Sequence, residues 1–308
     1  MNATGRVPIT AVTLPRAGER VPARLALTGV WSALRLGRGR RLPPAVLVGA
    51  AMTAFVVGTA IFAPVLARHG YDDQDLSRSL LPPFWLPGAN PAFPLGTDFL
   101  GRDLLSRLVY GARTSLAVGA LAVLLAGALG VTLGLVAGYF GRFVDSVTMR
   151  LVDLQLALPP IVLAIAILTV VQPDLLTVAL VLGLLGWVQY ARVMRAQTLS
   201  LREREFVLAA RVLGADSPRI LRRHVLPNAL GPILVIATVN VSAMILAEAS
   251  LSFLGVGVRP PTPAWGSMLS ESRDVFHQAW WTAVFPGLAI VWTVFAINLL
   301  GDAWQNRR

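Results

Sequence analysis

The chain has 308 residues, of which 55% are hydrophobic and only 14% charged, whereas a soluble domain carries about 25% charged residues; this places it among membrane proteins. Its net charge of +11 rests on 27 basic residues, every one an arginine, so the phosphate loop of a conventional ATPase, which needs a lysine, is excluded. Cysteine is absent, which excludes disulfides and thiolate metal sites.

The first 27 residues are rich in Pro, Gly and Arg and lack periodicity, a pattern expected to stay disordered. Residues 28–42 read as a basic amphipathic helix on an anionic leaflet, so 1–42 is expected to be a cytoplasmic segment. A bilayer span needs about 20 apolar residues, and six runs satisfy this: 44–66, 115–138, 151–171, 175–195, 229–248 and 281–301. The fold class expected is therefore all-α and integral to the membrane, with six transmembrane helices. The first run starts too far into the chain, and lacks the small-residue cleavage site, to be a removable signal peptide.

Between the first two runs lies a long loop, so that 43–114 forms an N-terminal unit of one span plus loop. Here Gly96, Asp98, Gly101, Arg102, Asp103 and Arg107 are close in sequence. The charges are expected to form an ion-paired knot and the glycines to permit tight turns; bracing the loop is favoured over contact with a substrate. In the second span Gly127, Gly130, Gly134 and Gly138 make a flat face for close helix packing inside the subunit. Pro159-Pro160 should kink the third span, and Gln172-Pro173-Asp174 turns the third and fourth spans into a helical hairpin.

Residues 115–303 then form a core of five spans, interrupted by the polar loop 196–227, and 304–308 a short tail. In that loop Phe206, Ala209, Ala210 and Leu213 share one helical face. Gly214 is placed to end that helix. Asp216 or Ser217 is placed to cap a second short helix with Pro218 at its start. Pro227 should stop it, and Asn228 should cap the fifth span. Two readings of the loop follow from pattern alone: a docking element, or an amphipathic helix lying on the membrane.

Arginine counting orients the chain. The pieces 1–42, 139–150, 192–227 and 302–308 hold twenty of the 27 arginines, and the remaining seven lie in two loops that also carry seven acids. Both termini and the 192–227 loop are thereby expected on the cytoplasmic side. Topology accounts for the positive charge, so a nucleic-acid partner is not expected. Membrane lipids are.

The middle portions of all six runs carry no Asp, Glu, Arg or His, which argues against a proton- or ion-coupled carrier. That carrier, or a channel, is the rival reading of a different class. Glu248 at the outer end of the fifth span and Asp153 at the inner end of the third read as interfacial groups. His69, His224 and His277 are scattered, which disfavours a metal site, and no nucleophile–base arrangement can be assembled. An enzyme is not expected, nor a cofactor bound by this chain.

The run Glu205-Phe206-Val207-Leu208-Ala209-Ala210, then Gly214 and Leu226-Pro227, resembles the EAA loop of ABC importer permeases. Leu208 stands where that motif has its glutamate, and His224 where an isoleucine is usual. Pro94-Leu95-Gly96-Thr97-Asp98 with Leu100-Gly101-Arg102-Asp103, and Ala247-Glu248-Ala249-Ser250-Leu251-Ser252-Phe253-Leu254-Gly255 with Pro260-Pro261 and Trp265-Gly266, resemble outer segments of the dipeptide/oligopeptide/nickel permeases. The resemblance covers roughly 40–305, and the extra N-terminal span and long loop look like the "C" type of the two permease subunits.

The resemblance implies a type I ABC importer permease fold with cytoplasmic coupling helices, in a bacterial cytoplasmic membrane. It implies Glu205, Phe206, Ala209, Ala210, Gly214, Leu226 and Pro227 as the site that docks an ATPase. The partners implied are a homologous second permease, two ABC ATPase subunits that hold ATP and Mg, and an extracytoplasmic substrate-binding protein. Peptides are the substrate implied first, with nickel or oligosaccharides as alternatives. The Arg259-Pro260-Pro261 and Trp265 region is expected to be a rigid loop with an interfacial aromatic, facing the binding protein or the second permease.

Overall fold

The computed structural model describes residues 44–305. The expected disordered segment and amphipathic helix within 1–42, and residues 306–308 of the expected tail, lie outside the described residues. Among the described residues the secondary structure is helical, apart from one isolated antiparallel bridge between Thr97 and Asp103.

The first span is α1 (Pro44–Ile61), followed by the single turn α2 (Ala63–Leu66). After the loop, α3 (Leu104–Phe140) runs for 37 residues, about 55 Å at the helical rise, and so projects well beyond a hydrocarbon layer of about 30 Å. It starts eleven residues ahead of the apolar run at 115 because Asp103 caps it: its Oδ2 accepts the Ser106 backbone N–H at 3.0 Å and the Ser106 hydroxyl at 2.5 Å.

The third span departs from expectation. Rather than one kinked helix over 151–171, the chain forms α4 (Arg142–Leu156) and α5 (Pro160–Val170), bent by 84° at the break. The physical cause is the proline pair. Pro160 drives the residue before it out of the helical region, and Pro159 accordingly sits at φ −60°, ψ 124°. Neither proline has an N–H to give the preceding turn. Helix α5 alone has 11 residues, about 16 Å, half of a bilayer core.

Val171–Asp174 turns the chain into α6 (Leu175–Leu201). The Thr177 backbone N–H, donated to Asp174 at 2.6 Å, caps this helix and holds the Asp174 carboxyl below its ordinary pKa range. Next come α7 (Glu205–Val212), α8 (Ser217–Ile220), a π-helical turn (Leu221–Val225) and α9 (Leu226–Phe253). The last three form one continuous helix from Ser217 to Phe253, so Pro227 does not end the short helix and Asn228 does not cap the fifth span. The π turn explains this. The Leu226 N–H reaches back five residues to the Leu221 carbonyl, which re-routes the ladder just before a proline that has no N–H to give. The Asn228 amide instead donates to the His224 carbonyl at 2.6 Å. Asp216 stands at the start of α8 but makes no side-chain cap. Finally, α10 (Trp265–Glu271) is a short helix between spans, and α11 (Trp281–Gln305) is the last span. Among the described residues five helices are long and apolar enough to cross a membrane, and six spans result when α4 and α5 are taken as one broken span.

Helix α3 lies directly on α6, and the small-residue face permits it. A Cβ on Gly130 would come within 2.3 Å of the Trp187 carbonyl oxygen, on Gly134 within 2.4 Å of the Ala191 oxygen, and on Gly138 within 2.7 Å of the Thr198 Cβ. Gly127 is outside this seam, its nearest neighbour being 3.9 Å away. The packing is within the subunit, as expected.

Candidate functional site

One candidate site is the segment between α6 and α9. It is anchored from below by Val207, 0% exposed, which packs with Tyr190, Met194, Ile220, Val225 and Ala229. Leu226 is half-buried against the same cluster, so of the Leu-Pro pair only Pro227 is exposed. Glu205 lies exposed in the first turn of α7, Phe206 and Ala209 are exposed, and Ala210 is half-buried. Gly214 ends the helix at φ +81°, and a Cβ placed on it would meet no atom within 4 Å; the left-handed backbone, not crowding, is what requires glycine there.

The most exposed apolar side chains of this segment are Val212 and Leu213, at 87% and 86%, with Leu208 at 44% and Phe206 at 42%. Val212 and Leu208 were missed by the helical-face assignment. Helix α7 is apolar on several faces, so periodicity alone does not tell which side a neighbour covers. The segment is tied to the spans by cations: Arg211 lies over the Tyr139 ring and Arg202 donates to the Gly138 carbonyl at 3.0 Å, while Arg195 of α6 pairs with Asp145 of α4 with an Nη2–Oδ2 distance of 2.6 Å.

At the opposite end of the helices is a buried ion cluster. Asp98 Oδ2 accepts from Arg102 Nε at 2.6 Å and from Arg107 Nη1 at 2.5 Å. Glu271 Oε2 sits 2.7 Å from both Arg102 Nη2 and Arg107 Nη1. The two carboxylates and two guanidiniums balance, and both arginines are almost fully buried, where an unpaired charge is costly. Asp103 is not a member of this knot. It caps α3, and the His69 ring lies beside it, with Nδ1 at 3.7 Å. Sequence proximity placed it with the arginines, but the capping geometry turns its carboxylate away. Glu271 was the member not foreseen, since it lies 164 residues beyond Arg107.

The glycines complete the knot. Gly96 at φ +82° and Gly101 at φ +72° pass so close to the Leu81 and Asp75 carbonyls that a Cβ would lie 2.3 and 1.9 Å from them. The bridge between Thr97 and Asp103 closes the turn that holds Asp98.

Trp265 is not an interfacial aromatic. It is 2% exposed, and its indole N–H donates to the Leu108 carbonyl at 3.0 Å. Gly111 leaves space for its ring, a Cβ there being 2.9 Å from Trp265 Cδ1. Glu248 is likewise not interfacial: it is fully buried, accepting from the Ser115 hydroxyl at 3.0 Å and the Ser252 hydroxyl at 2.7 Å. Asp153 is exposed, 3.9 Å from Arg192.

The break between α4 and α5 opens a cavity of about 380 Å³ bounded by α4, α5, α6 and α9. Its walls are apolar except for three uncharged amides, Gln155, Gln189 and Asn240. Gln155 is held within the fold by two hydrogen bonds. Its amide N–H donates to the Leu185 carbonyl at 2.6 Å, and its oxygen accepts from the Trp187 indole at 2.7 Å. Among the described residues no group of His, Asp and Glu is arranged to hold a metal.

Residues 130–307 match the family of binding-protein-dependent transport system inner membrane components, and residues 43–83 match the N-terminal TM domain of oligopeptide transport permease C. The chain is 43% identical over 260 residues to the di/tripeptide transport system permease protein DppC of Pseudomonas aeruginosa, a match covering 84% of this chain and 86% of that protein. It is 45% identical over 260 residues to the dipeptide transport system permease protein DppC of Escherichia coli K12, covering 84% and 87%. Among solved structures, a chain of the inward-facing MetNI methionine ABC transporter superposes with a TM-score of 0.53 at 20% identity, covering 65% of this chain and 94% of that one.

Proposed function

The chain belongs to the binding-protein-dependent ABC importer permeases, and on that premise we propose that it forms half of the pathway by which di- and oligopeptides enter a bacterial cell. The observation that carries the coupling part of this reading is the exposure of Val212 and Leu213 on a helix whose opposite side is locked by buried Val207. A rigidly anchored helix with an open apolar end offers a partner surface to grip, and movement of that partner is passed directly to α6 and α9. The partners are two ATPase subunits at this end, a homologous permease alongside the spans, and an extracytoplasmic binding protein near the Glu271 end. Both termini lie in the cytoplasm of the inner-membrane-embedded subunit. Leu208 in place of the motif glutamate makes the ATPase contact apolar at that position. ATP and Mg are held by the ATPases, and this chain performs no bond chemistry.

Peptides are favoured as cargo because the relatives above are named for them and the cavity lining carries no charge with which to hold a metal ion. The test is reconstitution of the chain with its second permease, ATPases and binding protein in proteoliposomes. Accumulation of a labelled dipeptide that requires both ATP and the binding protein is expected. Uptake that continues without the ATPases and follows an ion gradient would sink the reading in favour of a secondary carrier.

A further inference from the structure

The continuous helix from Ser217 to Phe253 has two unlike ends. The end that joins the coupling segment is interrupted by the π turn Leu221–Val225 and by Pro227 and Pro232, each of which weakens the hydrogen-bond ladder. The far end is held from two sides. A Cβ on Gly119 of α3 would lie 2.7 Å from Ile245 Cγ1, and one on Gly266 of α10 would lie 2.3 Å from the Ala249 carbonyl oxygen. Among these contacts sits Glu248, 0% exposed. Its Oε2 accepts from the Ser115 hydroxyl of α3 at 3.0 Å, and its Oε1 from the Ser252 hydroxyl, one turn further along α9, at 2.7 Å. Between the two ends, Asn240, Ala243, Met244 and Ala247 of the same helix line the cavity.

We propose that Glu248 is a positioning residue for transport: it pins the far end of α9 to α3, so that movement of the coupling segment swings the cavity wall about that point. A helix of this length is stiff and passes a displacement along its axis. With its far end fixed, the displacement becomes a rotation that changes the width of the cavity. With the far end free, the helix slides as a whole and the width changes less. Ile245, Glu248 and Ser252 lie on one face at i, i+3 and i+7, and Met244, Ala247 and Leu251 on the neighbouring face that lines the cavity. Hydrogen bonds rather than charge make the pin, since both partners of the carboxyl are hydroxyls. This proposal rests on the coupling reading above.

The test uses the whole reconstituted complex in proteoliposomes, with labelled dialanine as the probe, and measures uptake and ATP hydrolysis together. Glu248→Leu is expected to lower uptake per ATP hydrolysed by about tenfold, the worth of one to two lost hydrogen bonds, while the ATPases still co-purify and still hydrolyse ATP. Glu248→Gln is expected to keep the parent's uptake per ATP, because its amide offers an acceptor and a donor and a serine hydroxyl serves either. Parental uptake per ATP in Glu248→Leu overturns the pin. A loss in Glu248→Gln equal to that in Glu248→Leu means that charge is required, and overturns it as well.

Should Glu248→Leu fail to assemble, two milder variants decide. Ser115→Ala cuts the bond between helices, and Ser252→Ala cuts the bond within α9; each takes one hydroxyl from the same carboxyl. Uptake per ATP is expected to fall about fivefold in Ser115→Ala and to stay at the parent's value in Ser252→Ala, although both variants lower the thermal midpoint. Equal ratios in the two variants overturn the proposal and leave Glu248 a group that serves stability alone. Failure of the parent complex to take up dialanine with ATP is a different outcome, and it overturns the permease reading instead.

Discussion

Glu271 Oε2 lies 2.7 Å from both Arg102 Nη2 and Arg107 Nη1, and so ties the short helix between the last two spans to the start of the second. With Asp98 it balances both guanidiniums in a nearly dry site. Glu271→Gln is expected to destabilise the subunit by about 3–5 kcal/mol, because it leaves a buried positive charge uncompensated. A lowered thermal midpoint of the purified subunit checks this. Adding Arg107→Met to Glu271→Gln should cost less than the sum of the two single changes.

A charge on the open face of α7 should separate docking from folding. Val212 and Leu213 are almost wholly exposed, so Val212→Asp and Leu213→Asp are expected to change stability by less than about 0.5 kcal/mol. Both should abolish co-purification with the ATPases and the stimulation of ATP hydrolysis, while membrane insertion is retained. If the doubly substituted chain still co-purifies and transports, this surface is not the docking site.

The helix seam gives a graded expectation. Gly130→Leu and Gly134→Leu place a Cβ within 2.4 Å of the α6 backbone, and backbone cannot step aside as a side chain can. A loss of about 3 kcal/mol or more is expected, at or beyond the upper end for overpacked cores. Gly127→Ala has 3.9 Å of clearance and should be neutral or stabilise by up to about 1 kcal/mol through helix propensity. Thermal midpoints of the three variants, measured side by side, give the order.

Replacing both Pro159 and Pro160 with alanine restores two backbone donors and should let α4 run into α5. The 84° bend would open. Spin labels at Met149→Cys and Thr169→Cys, usable because the chain has no cysteine, should move to about 30 Å apart, the rise of twenty helical residues. Straightening also pulls Gln155 away from Leu185 and Trp187, so peptide uptake should fall with it. An unchanged label distance means that packing against α6, not the prolines, sets the bend.

Much of the architecture was legible in the residues because its causes are local. Apolar run length identifies spans, and small residues at helical spacing mark the seam with α6. A proline pair announced the disturbed third span, though not its size: a kink and a break have the same sequence signature, and the outcome depends on whether neighbouring helices hold the two arms apart. Asp103 shows the opposite failure. Its neighbours in sequence are arginines, yet a helix start needs its carboxylate, and the Ser106 backbone N–H at 3.0 Å takes it away from the ion cluster.

The sequence by itself determined the class of protein, the number of apolar runs, the arginine asymmetry and the positions of the short motifs. Each follows from composition or from a period of a few residues, which local physics reads. Tertiary structure alone decided that Glu271 completes a charge cluster begun at Asp98, that Val207 faces inward while Val212 faces out, and that Asn240 lies buried beside a cavity. These depend on which surfaces meet across the folded chain, and a helix that is apolar on every side carries no local signal of which face its neighbour will cover.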